Sequence, residues 1–117
     1  MERDARTFLW DVCHAADRIE AFLQGRALAD YLADSMLRSA VERQFEIIGE
    51  ALNRLSRMAP DIAARIPDLA RAVAMRNILI HGYAQVDSTA VWRTAHENLP
   101  DLRAQAAAAL EGLGNGS

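Results

Sequence analysis

Apolar side chains recur three and four residues apart in the first part of the chain, as they do on one face of an amphipathic helix. The pattern runs from Asp4 to Gln24 and predicts the first helix, with charged residues between the apolar ones. The apolar positions are Phe8, Val12, Ala15, Ala16, Ile19 and Leu23. Gly25 follows directly and is expected to end the helix, because glycine readily adopts a left-handed backbone conformation.

A second helix-favouring segment extends from Ala27 to about Arg57 and contains no proline and a single glycine, Gly49. It is the longest predicted helix and the spine of the fold, and Asp34-Ser35 marks a bend or a restart near its beginning. Its apolar residues lie close to heptad spacing and are Leu37, Val41, Phe45, Ile48, Leu52 and Leu55. Glycine inside a helix costs about 1 kcal/mol relative to alanine. We therefore expect another backbone, or a substrate, to approach closely at Gly49.

A third helix is predicted from Pro67 or Asp68 to His81, after a turn region with a short helical piece over residues 61–65. Proline near the first helical position and aspartate in the first turn are typical start signals. One face of this helix combines three apolar residues with a charged one, namely Leu69, Val73, Arg76 and Ile80. An arginine there must pair, reach water or face an interface, because an unpaired buried charge costs several kcal/mol.

The last part of the chain predicts a fourth helix. Asp87-Ser88-Thr89 supplies N-cap candidates, Pro100 marks a kink or a restart, and the apolar pattern continues to Leu110. Four antiparallel helices with short connections predict an all-α fold, an up-and-down four-helix bundle. We expect a single domain over residues 1–111 and a flexible C-terminal tail over residues 112–117.

Composition narrows the classes of protein. A length of 117 residues fits one domain with one core. Cys13 is the one cysteine, which excludes a disulfide framework and a four-ligand cysteine zinc site and suits a reducing cytoplasm. No signal-type stretch follows the N-terminus, and no apolar run approaches the roughly 20 residues of a membrane span, so a cytoplasmic location is expected. The net charge of −3 argues against general affinity for nucleic acid, so any RNA binding must be local.

Candidate chemistry concentrates in residues 76–83, Arg-Asn-Ile-Leu-Ile-His-Gly-Tyr. Histidine accepts and donates protons near neutral pH, which suits His81 to acid and base catalysis. The planar guanidinium of Arg76 suits a phosphate. On an ideal helix these residues would lie about 7.5 Å apart along the axis and about 140° around it, and would not share a face. We therefore predict that Gly82 ends the helix in a left-handed conformation, which turns His81 and Tyr83 back toward Arg76.

At Arg76, Asn77 and His81 the sequence resembles the HEPN superfamily of small helical ribonucleases, whose signature is arginine, a polar residue, a few more positions and then histidine. Tyr83, two places after the histidine, narrows the resemblance to the HepT-like toxins, which are encoded beside a minimal nucleotidyltransferase antitoxin. Residues 40–52 also look like the second helix of that family, and the resemblance covers most of the chain.

The resemblance implies the endoribonuclease toxin of a toxin–antitoxin pair, working without a metal ion or another cofactor. In this chemistry the RNA 2′-hydroxyl attacks the adjacent phosphate and leaves a 2′,3′-cyclic phosphate. His81 is then the acid or base and Arg76 binds the scissile phosphate, while Asn77 orients one of them or contacts the ribose. One chain offers one suitable histidine, so a homodimer that joins both motifs in one cleft would complete the pair. The family also implies that the antitoxin transfers AMP to Tyr83.

Other interpretations remain open for these residues. In one of them these residues have structural roles only: Arg76 pairs with a glutamate, His81 caps the third helix and Tyr83 packs in the core. A helical module that binds a nucleotidyltransferase and cleaves nothing is the alternative from another functional class.

Three residues of the second helix are further candidates for a cleft. Glu46, Glu50 and Asn53 follow helical spacing, and the alternative for the two glutamates is that they are solvated neighbours on the helix surface. No base-recognition motif is readable on this net-acidic chain, so the sequence predicts no particular RNA target.

Overall fold

The computed structural model describes residues 4–82 and 86–116, which form seven helices and no strand. The helices are α1 Ala5–Leu23, α2 Leu28–Ala33, α3 Ser35–Met58, α4 Pro60–Ala63, α5 Leu69–His81, α6 Ser88–Glu97 and α7 Leu99–Gly116. The predicted all-α class is confirmed. The four long segments expected from the sequence correspond to α1, to α2 with α3, to α5, and to α6 with α7. No helix within these ranges combines the length and the apolarity that crossing a bilayer requires.

Helix α3 lies at the centre of the fold. It packs against α1 and against α5, while α7 packs on α1 and the short α2 bridges α3 and α6. The largest apolar side chains with almost no exposed surface are Leu9, Val12, Ile19, Tyr31, Val41, Ile48, Leu52 and Leu55. The apolar stripes read from the first two segments are therefore the core faces of α1 and α3.

Local side-chain chemistry sets several helix ends where the sequence predicted them. Asp34 ends α2 and caps α3, because its carboxylate accepts a hydrogen bond from the Leu37 amide at 3.0 Å. Asp87 caps α6 in the same way. Gly25, directly after the C-cap of α1, has φ +74°, so its predicted left-handed conformation is confirmed.

Helix α5 begins at Leu69, slightly later than the sequence predicted. Asp68 precedes it without capping it through its own side chain. Instead the Asp68 amide donates to Gln105 Oε1 at 3.2 Å, and Gln105 Nε2 donates to the Asp68 carboxylate at 2.9 Å. These two bonds join the start of α5 to α7.

Helix α7 continues to Gly116, where the sequence predicted that a tail would begin after residue 111. The alanine-rich segment before it favours helix strongly, and each glycine costs only about 1 kcal/mol. The helix therefore propagates past Gly112 and Gly114.

Candidate active site

The outer face of helix α5 mixes small, apolar and polar residues. Leu79 is its one buried side chain, and Ile78, on the outer side, is 53% exposed. The remaining exposed residues of α5 are Ala70, Arg71, Ala74, Asn77 and His81. Ile78 is therefore a large apolar side chain that stands among alanines and polar residues at the surface.

Gly49 brings α5 against α3. A Cβ atom placed on Gly49 would lie 2.2 Å from Arg76 Cβ and 3.0 Å from the carbonyl oxygen of Ala72. Real Cβ atoms do not approach this closely, so the two helices reach this separation only with glycine at position 49. The close approach expected from the sequence is confirmed, and it places Arg76 against α3.

Arg76 is held at both ends of its guanidinium. One terminal nitrogen donates to Glu50 Oε2 at 2.7 Å, and the other donates to Asn77 Oδ1 at 2.9 Å. The side chain of Arg76 keeps 25% of its surface exposed. This ion pair matches the alternative interpretation of the sequence, in which Arg76 pairs with a glutamate. It nevertheless leaves part of the Arg76 side chain at the surface, where an anion can approach it.

Glu50 serves two arginines. Its second oxygen accepts a hydrogen bond from Arg54 Nε at 3.0 Å. Partial burial tends to raise the pKa of the Glu50 carboxyl, but the hydrogen bond from Arg54 and the charge of Arg76 outweigh burial and hold that pKa below its usual value. Glu50 is therefore anionic at neutral pH and fixes both guanidiniums.

An open groove of about 380 Å³ lies between α1, α3 and α5, with Arg76 on its wall. Its lining residues are Phe8, Asp11, Arg43, Glu46, Ile47, Glu50, Ala51, Arg54, Arg76 and Ile80. Three arginines face three acidic residues there, so the groove as a whole has no excess charge.

His81 is the last residue of α5 and is exposed. Gly82 has φ −115°, so the prediction that it ends the helix in a left-handed conformation is wrong. The helix stays regular through His81, which leaves Arg76 and His81 about 140° apart around its axis. Ile80 lines the groove with Arg76, whereas His81 lies on the outer face with Ile78. One chain thus does not bring the imidazole and the guanidinium together.

Tyr83 lies outside the described residues. Its predicted role is therefore considered below as a proposal.

The cleft candidates on α3 divide into two groups. Glu46 and Glu50 line the groove, and each is paired, because Arg43 donates to Glu46 Oε1 at 3.3 Å. Asn53 is not among the lining residues of the groove. Its carbonyl oxygen accepts a hydrogen bond from the Ser56 hydroxyl.

Sequence reasoning missed Arg43 and Arg54 as residues of the groove. A signal was present, because Glu50 and Arg54 are four residues apart, a spacing at which side chains on a helix meet. The contribution of α1, through Phe8 and Asp11, had no such signal, since it depends on how α1 packs against α3.

No group of three or more histidine, cysteine, aspartate or glutamate side chains in residues 4–82 and 86–116 is arranged to hold a metal ion. The donors in the groove are guanidiniums paired with carboxylates. This arrangement suits an anionic ligand that exchanges with the carboxylates.

The comparisons with known proteins agree on one family. The family model described as "Ribonuclease HepT-like" matches residues 12–109. The protein named "Probable ribonuclease HepT" in Thermococcus cleftensis is 37% identical over 107 residues, which cover 88% of this chain and 93% of that protein. Two proteins of Methanocaldococcus jannaschii whose names describe them provisionally as RNases are each 31% identical over 104 residues. Those matches cover 87% of this chain and 93% and 84% of the two relatives.

No solved structure gave a significant match to the chain. The family model and the relatives together confirm the family predicted from the sequence, and this chain belongs to the ribonuclease HepT-like family.

Proposed function

We propose that this chain is the endoribonuclease toxin of a toxin–antitoxin pair and that it cleaves RNA without a metal ion. Membership of the HepT-like ribonuclease family supports an endoribonuclease. The observation that carries the proposal is the placement of Arg76, which Glu50 and Asn77 fix on the wall of an open groove with a quarter of its side chain exposed. A fixed planar cation suits a phosphate that gains charge during reaction.

The proposed reaction is an internal transesterification. A base removes the proton from the 2′-hydroxyl, O2′ bonds to phosphorus, and the bond between phosphorus and O5′ breaks. An acid gives a proton to O5′, so the products are a 2′,3′-cyclic phosphate and a 5′-hydroxyl end. His81 supplies the acid and base chemistry, and Arg76 binds the non-bridging oxygens. Arg76 donates a hydrogen bond to the side-chain oxygen of Asn77, and this bond orients the guanidinium.

A homodimer would supply both the acid and the base. His81 lies at the C-terminal end of the exposed face of α5, on the same side as Ala74, Asn77 and Ile78. A two-fold axis through this face would bring the imidazoles of two subunits together while burying Ile78. The small alanines would let the two helices approach closely. The exposed Ile78 is the observation that supports this arrangement.

The direct test of this function is the chemistry of the RNA ends. Purified protein incubated with RNA in the presence of EDTA is expected to produce 2′,3′-cyclic phosphate and 5′-hydroxyl ends, detected by end-specific labelling and mass spectrometry. A preparation that binds a nucleotidyltransferase but leaves RNA intact would favour the non-catalytic binding module instead.

Regulation by a nucleotidyltransferase antitoxin forms part of the proposal. Tyr83 follows His81 by two residues, and AMP on its hydroxyl would add bulk and negative charge close to the site, which would repel an anionic substrate. The other tyrosine of the chain, Tyr31, is fully buried.

Co-expression with a cognate nucleotidyltransferase is expected to yield an AMP adduct on Tyr83 by mass spectrometry, and none on a Tyr83→Phe variant. An adduct on another residue would contradict this role.

A further inference from the structure

We propose that Arg54 binds the phosphate next to the scissile one, so that two arginines of the groove hold two neighbouring phosphates of an RNA strand. This inference rests on the proposed RNA cleavage and extends it to how the strand lies in the groove.

Arg54 and Arg76 reach the groove from different helices and meet at one carboxylate. Glu50 accepts Arg54 Nε at 3.0 Å through one oxygen and Arg76 at 2.7 Å through the other. The two guanidiniums are therefore separated by the width of one carboxylate group. A strand bound to Arg76 through one phosphate passes Arg54 within reach of the next.

The outward atoms of Arg54 suit this role. Its bond to Glu50 uses Nε, and the described residues supply no acceptor for its two terminal nitrogens. The side chain is 56% exposed, so these nitrogens face solvent at the groove. An arginine held through Nε presents its terminal N–H groups with little loss of side-chain freedom on binding.

Two arginines share one carboxylate here, because Glu50 accepts hydrogen bonds from both Arg54 and Arg76. Asp11 of α1 lines the same groove and balances the charge of the lining as a whole. An RNA strand beside Glu50 would therefore meet two guanidiniums within a short distance, which favours the binding of its phosphates there.

Helix α3 places Glu50 and Arg54 one after the other along the groove. Glu50 and Arg54 are four residues apart, about 6 Å along the helix axis and on the same face. Arg54 therefore lies one helical turn beyond Glu50 on the side of α3 that lines the groove, so its side chain extends the basic surface beyond Arg76 along α3.

The test uses a hexanucleotide that contains the sequence cleaved in the RNA-ends experiment, with a single ribonucleotide at the cleavage position and deoxynucleotides elsewhere. In a matched series, each flanking phosphate in turn is replaced by an uncharged methylphosphonate. Wild type, Arg54→Ala and Arg57→Ala are compared. Arg57 is the control, because it is exposed on the same helix and outside the groove lining.

On the fully charged substrate, KM of Arg54→Ala is expected to rise about tenfold with kcat nearly unchanged, as for the loss of one charge-assisted contact. The slope of log(kcat/KM) against log salt should become shallower by about 0.7. With a methylphosphonate at one position next to the scissile phosphate, kcat/KM of wild type and of Arg57→Ala should fall about tenfold. The same replacement should leave kcat/KM of Arg54→Ala unchanged.

The inference would be overturned if each methylphosphonate lowered kcat/KM of Arg54→Ala as much as that of wild type, or if Arg54→Ala kept the wild-type KM. Either result would leave the proposed RNA cleavage standing. Wild type that cleaves neither RNA nor the charged hexanucleotide would overturn the proposed function, and this inference with it.

Discussion

Replacing His81 with alanine is expected to slow RNA cleavage by about 10²- to 10⁴-fold, because this range covers the contribution of a positioned acid or base. Replacing Arg76 with alanine is expected to slow it by about 10²- to 10³-fold, because the charge developing on the phosphate loses its cation. The measurement is the single-turnover rate constant for formation of the 2′,3′-cyclic phosphate.

The His81→Ala variant separates an effect on activity from an effect on folding. His81 is exposed, so its replacement should change the free energy of unfolding by less than about 0.5 kcal/mol. His14→Ala and Arg57→Ala, two exposed positions outside the groove lining, are expected to cleave at the wild-type rate. A folded His81→Ala or Arg76→Ala protein that cuts RNA as fast as wild type would refute the assigned role.

Gly49→Ala is expected to lower the free energy of unfolding by about 2 kcal/mol, although alanine is the better helix former by about 1 kcal/mol. The new methyl group would overlap Arg76 Cβ, at 2.2 Å. That atom is attached directly to the backbone of α5, so no side-chain rotation relieves the overlap and α5 must shift. Urea unfolding measures the loss, and the RNA-cleavage rate should fall with it because Arg76 moves.

Gly114→Ala is the matched control for that substitution. Among the described residues, no atom lies within 4 Å of a Cβ placed at Gly114, so alanine there is expected to leave stability unchanged or raise it by up to about 1 kcal/mol. If Gly49→Ala were as stable and as active as wild type, α5 would not approach α3 as closely as Arg76 requires.

Hydrophobic periodicity was sufficient to predict the helices that carry the site. The apolar stripes of α1 and α3 face the core. Glycine lowers helix stability, so its presence inside α3 correctly indicated a close contact at Gly49. Boundaries depended on local chemistry that the sequence displays, such as the caps at Asp34 and Asp87. The start of α5 depended on Gln105, 37 residues further along the chain, and no local pattern predicts such a bond.

The arrangement of the candidate site was less accessible from sequence. Periodicity placed Arg76 on an apolar stripe and required a partner for it, but Glu50 became that partner only because α3 and α5 pack side by side. The prediction for Gly82 was wrong because glycine permits a left-handed conformation without requiring it. Since the helix stays regular to His81, the imidazole stays on a different side of α5 from Arg76.

The most direct test of the two-fold site is the activity of a dimer with one wild-type and one His81→Ala subunit, purified through two different affinity tags. If each cleft uses the imidazoles of both subunits, this mixed dimer should cleave RNA almost as slowly as the His81→Ala homodimer, about 10²-fold or more below wild type. A mixed dimer with half the wild-type activity, or a fully active monomer, would contradict a site shared across the axis.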